Sequence, residues 1–228
     1  MHEEPANPPV RRVRRSKADI VDAALGILDD QGLADLTMRH LADVLGVQPS
    51  ALYWHFDSKQ ALLAAVSTRV LAPMASAEVD ASSLPRAAFT LGTRLHDCLL
   101  SYRDAAELVS SSLALGLIDP PLLGHLTAAA RDLGEPDALA ATASEAVTHF
   151  VLGYAFHEQQ RMQADTLGVL GGSPELTPDR ATAPVAPGEA AFEPVLALIA
   201  QGIATASAAG SHDERSGRGP SASATPAR

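Results

Sequence analysis

The chain has 228 residues, 46% of them hydrophobic, and a formal net charge of −10. That balance allows a core of one or two domains and argues against a surface that binds nucleic acid throughout. A single cysteine, Cys98, excludes an internal disulfide framework and fits a reducing cytoplasm, and no apolar run is read as long enough to cross a bilayer.

Positive charge is gathered near the N-terminus. Arg11, Arg12, Arg14, Arg15 and Lys17 fall within seven residues, so residues 1–15 read as a flexible basic arm that either follows a groove or is a solvated tail. Export is a poor reading of the paired arginines, because no apolar run follows them. KADIVDAALGILDD instead spaces its acids helically and reads as an amphipathic helix capped by Ser16.

Leu36 to Lys59, LTMRHLADVLGVQPSALYWHFDSK, reads as a short helix, a tight turn and a second short helix. The Thr37 hydroxyl caps the first, and Met38, Leu41, Ala42 and Leu45 share its apolar face. Gly46 stops it where positive φ is wanted, and Val47 tucks the turn against the core. Pro49 suits the first turn of the second helix, expected to run about eight residues. Ala51, Leu52 and Phe56 form its buried side, while Gln48, Ser50, Tyr53, Trp54 and His55 point outward, since two large aromatics and an imidazole exceed what so small a core face holds. This is the shape of a helix-turn-helix that enters a DNA major groove. Thr37 and Tyr53 are suited to phosphate, Arg39 to a guanine edge or to solvent, and Gln48 and Ser50 stand where the reading helix begins.

From Pro73 onward the periodicity stays helical, without alternating β-branched stretches or repeats. A fifth helix is predicted from about Pro85 to Tyr102, a sixth capped by Asp104 and ending near Gly116, and a seventh from Pro120 and Pro121 to Gly134. A long helix covers Asp137 to about Ala164, and a last one Phe192 to about Ala208. The Gly- and Pro-rich segment 168–189 reads as a mobile loop, and residues 209–228 as a disordered tail. The fold class is therefore all-α. Cys98 lies between leucines in LHDCLLSY and reads as buried packing. No Gly-rich phosphate loop follows a strand and no GxSxG occurs, so neither an enzyme nor a cofactor is expected.

The core of the first helix (Ile20, Ala23, Ala24, Ile27, Leu28), the run QGLADLTMRHLA, and LYWHF followed by Ser58, Lys59, Ala61 and Leu62 resemble the tetracycline-repressor (TetR) family over Ser16 to Val66. The resemblance implies a DNA-binding domain over residues 16–62, with the second short helix in the major groove and Lys59 on a backbone phosphate. Tetracycline repressors carry Gln-Pro-Thr directly before Leu-Tyr-Trp-His. Here Gln48 and Pro49 are displaced by one position, so a different operator is implied. More weakly, SYRDAAELV, THFVLGYAFHEQQ and FEPVLALIAQGIATA are similar to core helices of that family, which implies a ligand-binding and dimerisation domain over 63–208. The long eighth helix and the last helix then pair with a second copy, offering Val147, Val151, Leu152 and Ala155 with Val195, Leu198, Ile199 and Ile203, unless these faces are only intramolecular core.

Where the family holds a drug-bound magnesium with His and grips the drug with Asn and Phe, this chain has Val109, Leu91 and Leu95, which disfavours that ligand. A more apolar pocket is implied, lined by Leu91, Leu95, Leu99, Leu113, Leu117, Phe150 and Tyr154, with His96, His149 and His157 as polar fixing groups. No metal site is expected. His149 and His157 are eight residues apart, about 12 Å along a helix and too far to share one zinc. The resemblance thus implies a homodimeric, cytoplasmic regulator of double-stranded DNA, released from a palindromic operator by a small, largely apolar effector that moves the fourth helix. A helical protein-interaction adaptor and a metal-responsive regulator are the alternatives.

Overall fold

The structure is a computed structural model that describes residues 15–166 and 191–216, and among these every regular element is helical. Helix α1 (Lys17–Gln31) opens with a reciprocal capping box. The Ser16 hydroxyl accepts the Asp19 N–H while the Asp19 carboxylate accepts the Ser16 N–H. A single 3-10 turn, Leu33–Asp35, leads into α2 (Met38–Leu45), whose N-cap Thr37 accepts the His40 N–H at 3.1 Å. Gly46 ends α2 with φ +66°, and the Gly46 and Val47 amides donate to the Asp43 and Ala42 carbonyls.

Helix α3 (Pro49–Leu52) is four residues long, shorter than predicted, and Tyr53 is its C-cap. The chain continues as a turn in which the His55 and Phe56 amides return to the Leu52 carbonyl. Phe56 is drawn into the core there, which leaves no room for another helical turn. Helix α4 (Lys59–Val70) starts at its Ser58 cap and connects the head to the rest of the molecule.

The larger body consists of α5 (Leu84–Leu100), α6 (Ala105–Ala114), α7 (Leu123–Leu133), α8 (Asp137–Thr166) and α9 (Phe192–Ser216). Helix α8 is the spine, packing against α5, α6, α7 and α9. Gly92 lets α5 approach α8 and α9 closely. A Cβ at that position would stand 2.9 Å from Val147 Cγ1 and 3.0 Å from both δ-carbons of Leu196. Pro120 and Pro121 precede α7 rather than begin it, and α9 runs on to Ser216, past the predicted stop at Ala208. Arg11, Arg12 and Arg14 of the predicted arm, the loop 168–189 and residues 217–228 of the predicted tail lie outside the described residues.

Three expectations about the body are corrected. Asp104 precedes α6 but does not cap it with its side chain. Val147, Val151, Leu152 and Ala155 are buried within the protomer, so they belong to its own core, and among the described residues Phe156 and Met162 are the exposed large apolar side chains of α8. On α9 Ile203 is likewise buried, Val195 and Ile199 are partly covered, and Leu198 is 68% exposed. Finally, Phe192–Gly210 is long and apolar enough to cross a membrane by length and composition, with mean hydropathy 1.3. Its apolarity comes mainly from Phe192, Val195, Leu196, Leu198, Ile199 and Ile203, with alanines adding to it, and polar residues interrupt the run. The same 19 residues include Glu193, Pro194 and Gln201.

Candidate nucleic-acid interface and effector region

The head buries Phe56 and leaves its two larger aromatic side chains outside. Leu52 and Phe56 are 1% and 2% exposed and fill the space beneath α3, whereas Tyr53 and Trp54, between them, are 51% and 89% exposed. The Lys17 ammonium sits over the Phe56 ring, 4.9 Å from its centroid, and fastens the beginning of α1 to the end of the reading segment. Thr37, Arg39, Gln48 and Ser50 are also exposed, while His55 and Lys59 are half-buried. Ala51, expected on the buried side, is half-exposed. Thr37 already spends an oxygen lone pair on the His40 amide, which leaves its hydroxyl hydrogen to donate.

A buried polar contact joins α4 to the body. The Ser67 hydroxyl of α4 and the Ser112 hydroxyl of α6 lie 2.8 Å apart. At the surface Arg69 pairs with Asp22 at 3.1 Å, and both side chains are 55% exposed, so this ion pair contributes little.

In the body, Leu91, Leu95 and Leu99 are fully buried on α5, and Leu113, Phe150 and Tyr154 are half-buried. His96 donates to or accepts from Glu158 at 2.5 Å. Its ring stacks on Phe192 with centroids 4.0 Å apart and planes 14° apart, and Phe150 stacks on the same Phe192 ring at 5.7 Å and 11°. Tyr154 closes the group, tilted 60° to Phe192 at 5.3 Å. Burial pushes the Tyr154 hydroxyl above its usual range, and the Glu158 charge adds to that effect. Burial likewise raises the Cys98 thiol on the inner side of α5.

Three of the proposed lining residues do not join this group. His157 and His149 are exposed, the latter with Nδ1 on the Glu145 carbonyl at 2.9 Å, and Leu117 is 38% exposed beyond the end of α6. The two histidines lie away from the buried stripe of α8 that carries Val147, Val151 and Ala155. Among the described residues no group of three or more His, Cys, Asp or Glu could hold a metal ion.

Two residues that the sequence reading passed over are Glu158 and Gln159. Gln159 is 4% exposed, and its side chain accepts the Ala106 N–H at 3.2 Å and donates to the Leu99 and Tyr102 carbonyls at 2.8 and 2.9 Å. It thereby satisfies both the end of α5 and the start of α6, the second of which the sequence assigns to Asp104. A glutamine in HEQQ gives no local signal of this.

The head is a helix-turn-helix with an exposed aromatic reading segment, and the family profile described as bacterial regulatory proteins, tetR family, matches residues 20–66. Tetracycline repressor protein class A from transposon 1721 of Escherichia coli is 35% identical over 202 residues, covering 81% of this chain and 88% of that protein. The crystal structure of Mycobacterium smegmatis BioQ is 39% identical with a TM-score of 0.68, covering 84% of this chain and 98% of that one. BioQ with its natural double-stranded DNA operator is 42% identical over 69% of this chain and 97% of that one, with a TM-score of 0.57. Streptomyces coelicolor ActR in complex with (S)-DNPA is 27% identical with a TM-score of 0.66, covering 85% and 99%. The chain belongs to the TetR family of DNA-binding transcriptional regulators.

Proposed function

We propose that this chain is a homodimeric, cytoplasmic repressor that leaves a two-fold symmetric operator when a small, largely apolar molecule enters its body. The observation that carries this reading is the exposure of Tyr53 and Trp54 between two buried anchors, Leu52 and Phe56. Residues 16–62 form the DNA-binding unit and 63–208 the ligand-binding and dimerisation unit. In this reading Thr37, Tyr53 and Lys59 hold phosphates, Gln48, Ser50, Trp54 and His55 lie along the groove, and Arg39 reads a guanine edge. Two heads must reach half-sites about one DNA turn apart, roughly 34–36 Å, which a dimer through α8 and α9 supplies. BioQ on its operator supports the DNA partner, and ActR with a bound small molecule supports the effector.

The effector is recognised by apolar contact with Leu91, Leu95, Leu99, Leu113, Phe150 and Tyr154, and its polar group is fixed by the His96–Glu158 pair. It acts by preferring one separation of the heads and shifting α4. No catalytic step is involved. The test is a gel-shift titration of the full chain on the intergenic DNA beside its own gene, at two salt concentrations, with a scrambled duplex as control. Specific binding that weakens steeply with salt is expected. Equal affinity for the scrambled duplex would overturn the operator assignment.

A further inference from the structure

Among the described residues Asp104 is the one non-glycine with positive φ, at 54°. Aspartate tolerates this left-handed region better than most residues but still adopts it at a cost. The conformation turns its carboxylate away from α6 and toward two other elements. Oδ2 accepts the backbone N–H of Leu33, in the 3-10 turn of the head, at 2.9 Å, and Oδ1 accepts Nε2 of Gln163, on α8, at 2.5 Å. The neighbouring Arg103 N–H donates to Asp29 Oδ1 on α1 at 3.2 Å. Gly32 makes room for the contact, because a Cβ there would stand 2.7 Å from Asp104 Oδ2. One turn earlier on α8, Gln159 holds the same α5–α6 connection from inside. The connection is thus fastened to α8 at two points and to the head at two more, none of them through α4.

We propose that Asp104 is a positioning residue for operator recognition, a bridge by which α8 sets the orientation of its own reading head. Leu33 stands just before Leu36 and Thr37, so a shift of the bridge is passed directly to the start of α2. Because α8 also packs along α9, whose exposed apolar side chain Leu198 is available to a second copy, the angle between two protomers reaches each head through this bridge as well as through α4. The proposal rests on the homodimeric operator-binding reading.

The chemistry of the bridge supplies its own control. In D104N the amide oxygen takes the place of Oδ2 and accepts from Leu33, and the amide nitrogen takes the place of Oδ1 and donates to Gln163 once that amide turns over, while asparagine keeps the left-handed conformation. D104A loses both bonds, and Q163L loses only the α8 arm. The probe is a duplex selected from a random library by the full wild-type chain, with variants of half-site spacing. Head separation is read from electron–electron distances between spin labels on Val44→Cys, an exposed position of α2, in a Cys98→Ala background.

Q163L and D104A should lower affinity for the selected duplex about tenfold, which is about 1.4 kcal/mol. They should also broaden the label distances and flatten the preference for one half-site spacing. D104N should behave as wild type, and binding to random duplex should keep its affinity and salt slope in all three. If D104A does not fold, Q163L alone decides. Wild-type spacing preference and distances in Q163L would overturn the proposal, as would equal losses on selected and random duplex. Failure of the wild type to select any duplex would instead remove the operator reading on which the proposal stands.

Discussion

Ser67 of α4 and Ser112 of α6 face each other across the junction of head and body with their hydroxyl oxygens 2.8 Å apart, and each residue is almost wholly buried. Removing one hydroxyl strands the other without water. Ser67→Ala is expected to destabilise the fold by about 1–3 kcal/mol, and Ser67→Ala with Ser112→Ala by less than the sum of the singles. Urea unfolding of the four members of the cycle checks this. Strict additivity would mean that the two hydroxyls do not depend on each other.

Gly92→Ala adds a methyl group where Val147 and Leu196 already stand within about contact distance of it. Both neighbours are fully buried, so neither side chain has free space to retreat into. A loss of about 1–3 kcal/mol is expected from overpacking, read as a lower midpoint of thermal unfolding. Gly26→Ala, where nothing lies within 4 Å, serves as the control and should be neutral or stabilising.

On the head, Tyr53→Phe and Lys59→Ala should weaken binding to every duplex alike, and Lys59→Ala should reduce the salt slope by about one. Arg39→Ala should instead change which sequence is preferred. Competition gel shifts against single-base operator variants separate the two behaviours, and a uniform loss for Arg39→Ala would reassign it to the phosphate backbone.

Cys98 is buried on α5 and its thiol is held above the ordinary value of 9.0. The folded protein therefore keeps its proton at pH values where the unfolded chain gives it up. This contribution to stability is complete below the unfolded value and is lost as pH rises above it toward the folded one. Two results are expected: slow reaction with a thiol reagent at pH 8 that becomes fast in denaturant, and a stability decline above about pH 9 that is shallower in Cys98→Ala. Rapid labelling of the native protein would show that α5 opens locally.

Leu198 is 68% exposed on α9. Leu198→Glu should shift the dimer toward monomer in sedimentation velocity and lower operator affinity with it, while leaving helical content unchanged.

The head was legible from the sequence because its signals are local. Ser16, Thr37, Ser58 and Gly46 act on amides and carbonyls a few residues away, and the pattern of Leu52, Phe56, Tyr53 and Trp54 announces which side is covered. The body was legible only as helices. Periodicity groups Val147, Val151 and Ala155 on one face of α8 but cannot say whether that face meets another protomer or α5 of the same chain. Asp104 has the spacing of a cap, and its actual partners, Leu33 and Gln163, are 71 and 59 residues away. His149 and His157 were drawn into a pocket by residue type, whereas the imidazole that enters the ring group, His96, does so because Glu158 and Phe192 arrive from other helices.

Trp54 is the sole tryptophan of the chain and stands 89% exposed on the head. Indole fluorescence from the whole protein therefore issues from one exposed point of the helix-turn-helix, remote in sequence from the ring group of the body. The molecule carries a built-in optical reporter. With Trp54 in the groove, docking of a duplex is expected to change that emission without any label, and a compound held in the body that alters it in the absence of DNA acts on the head from a distance.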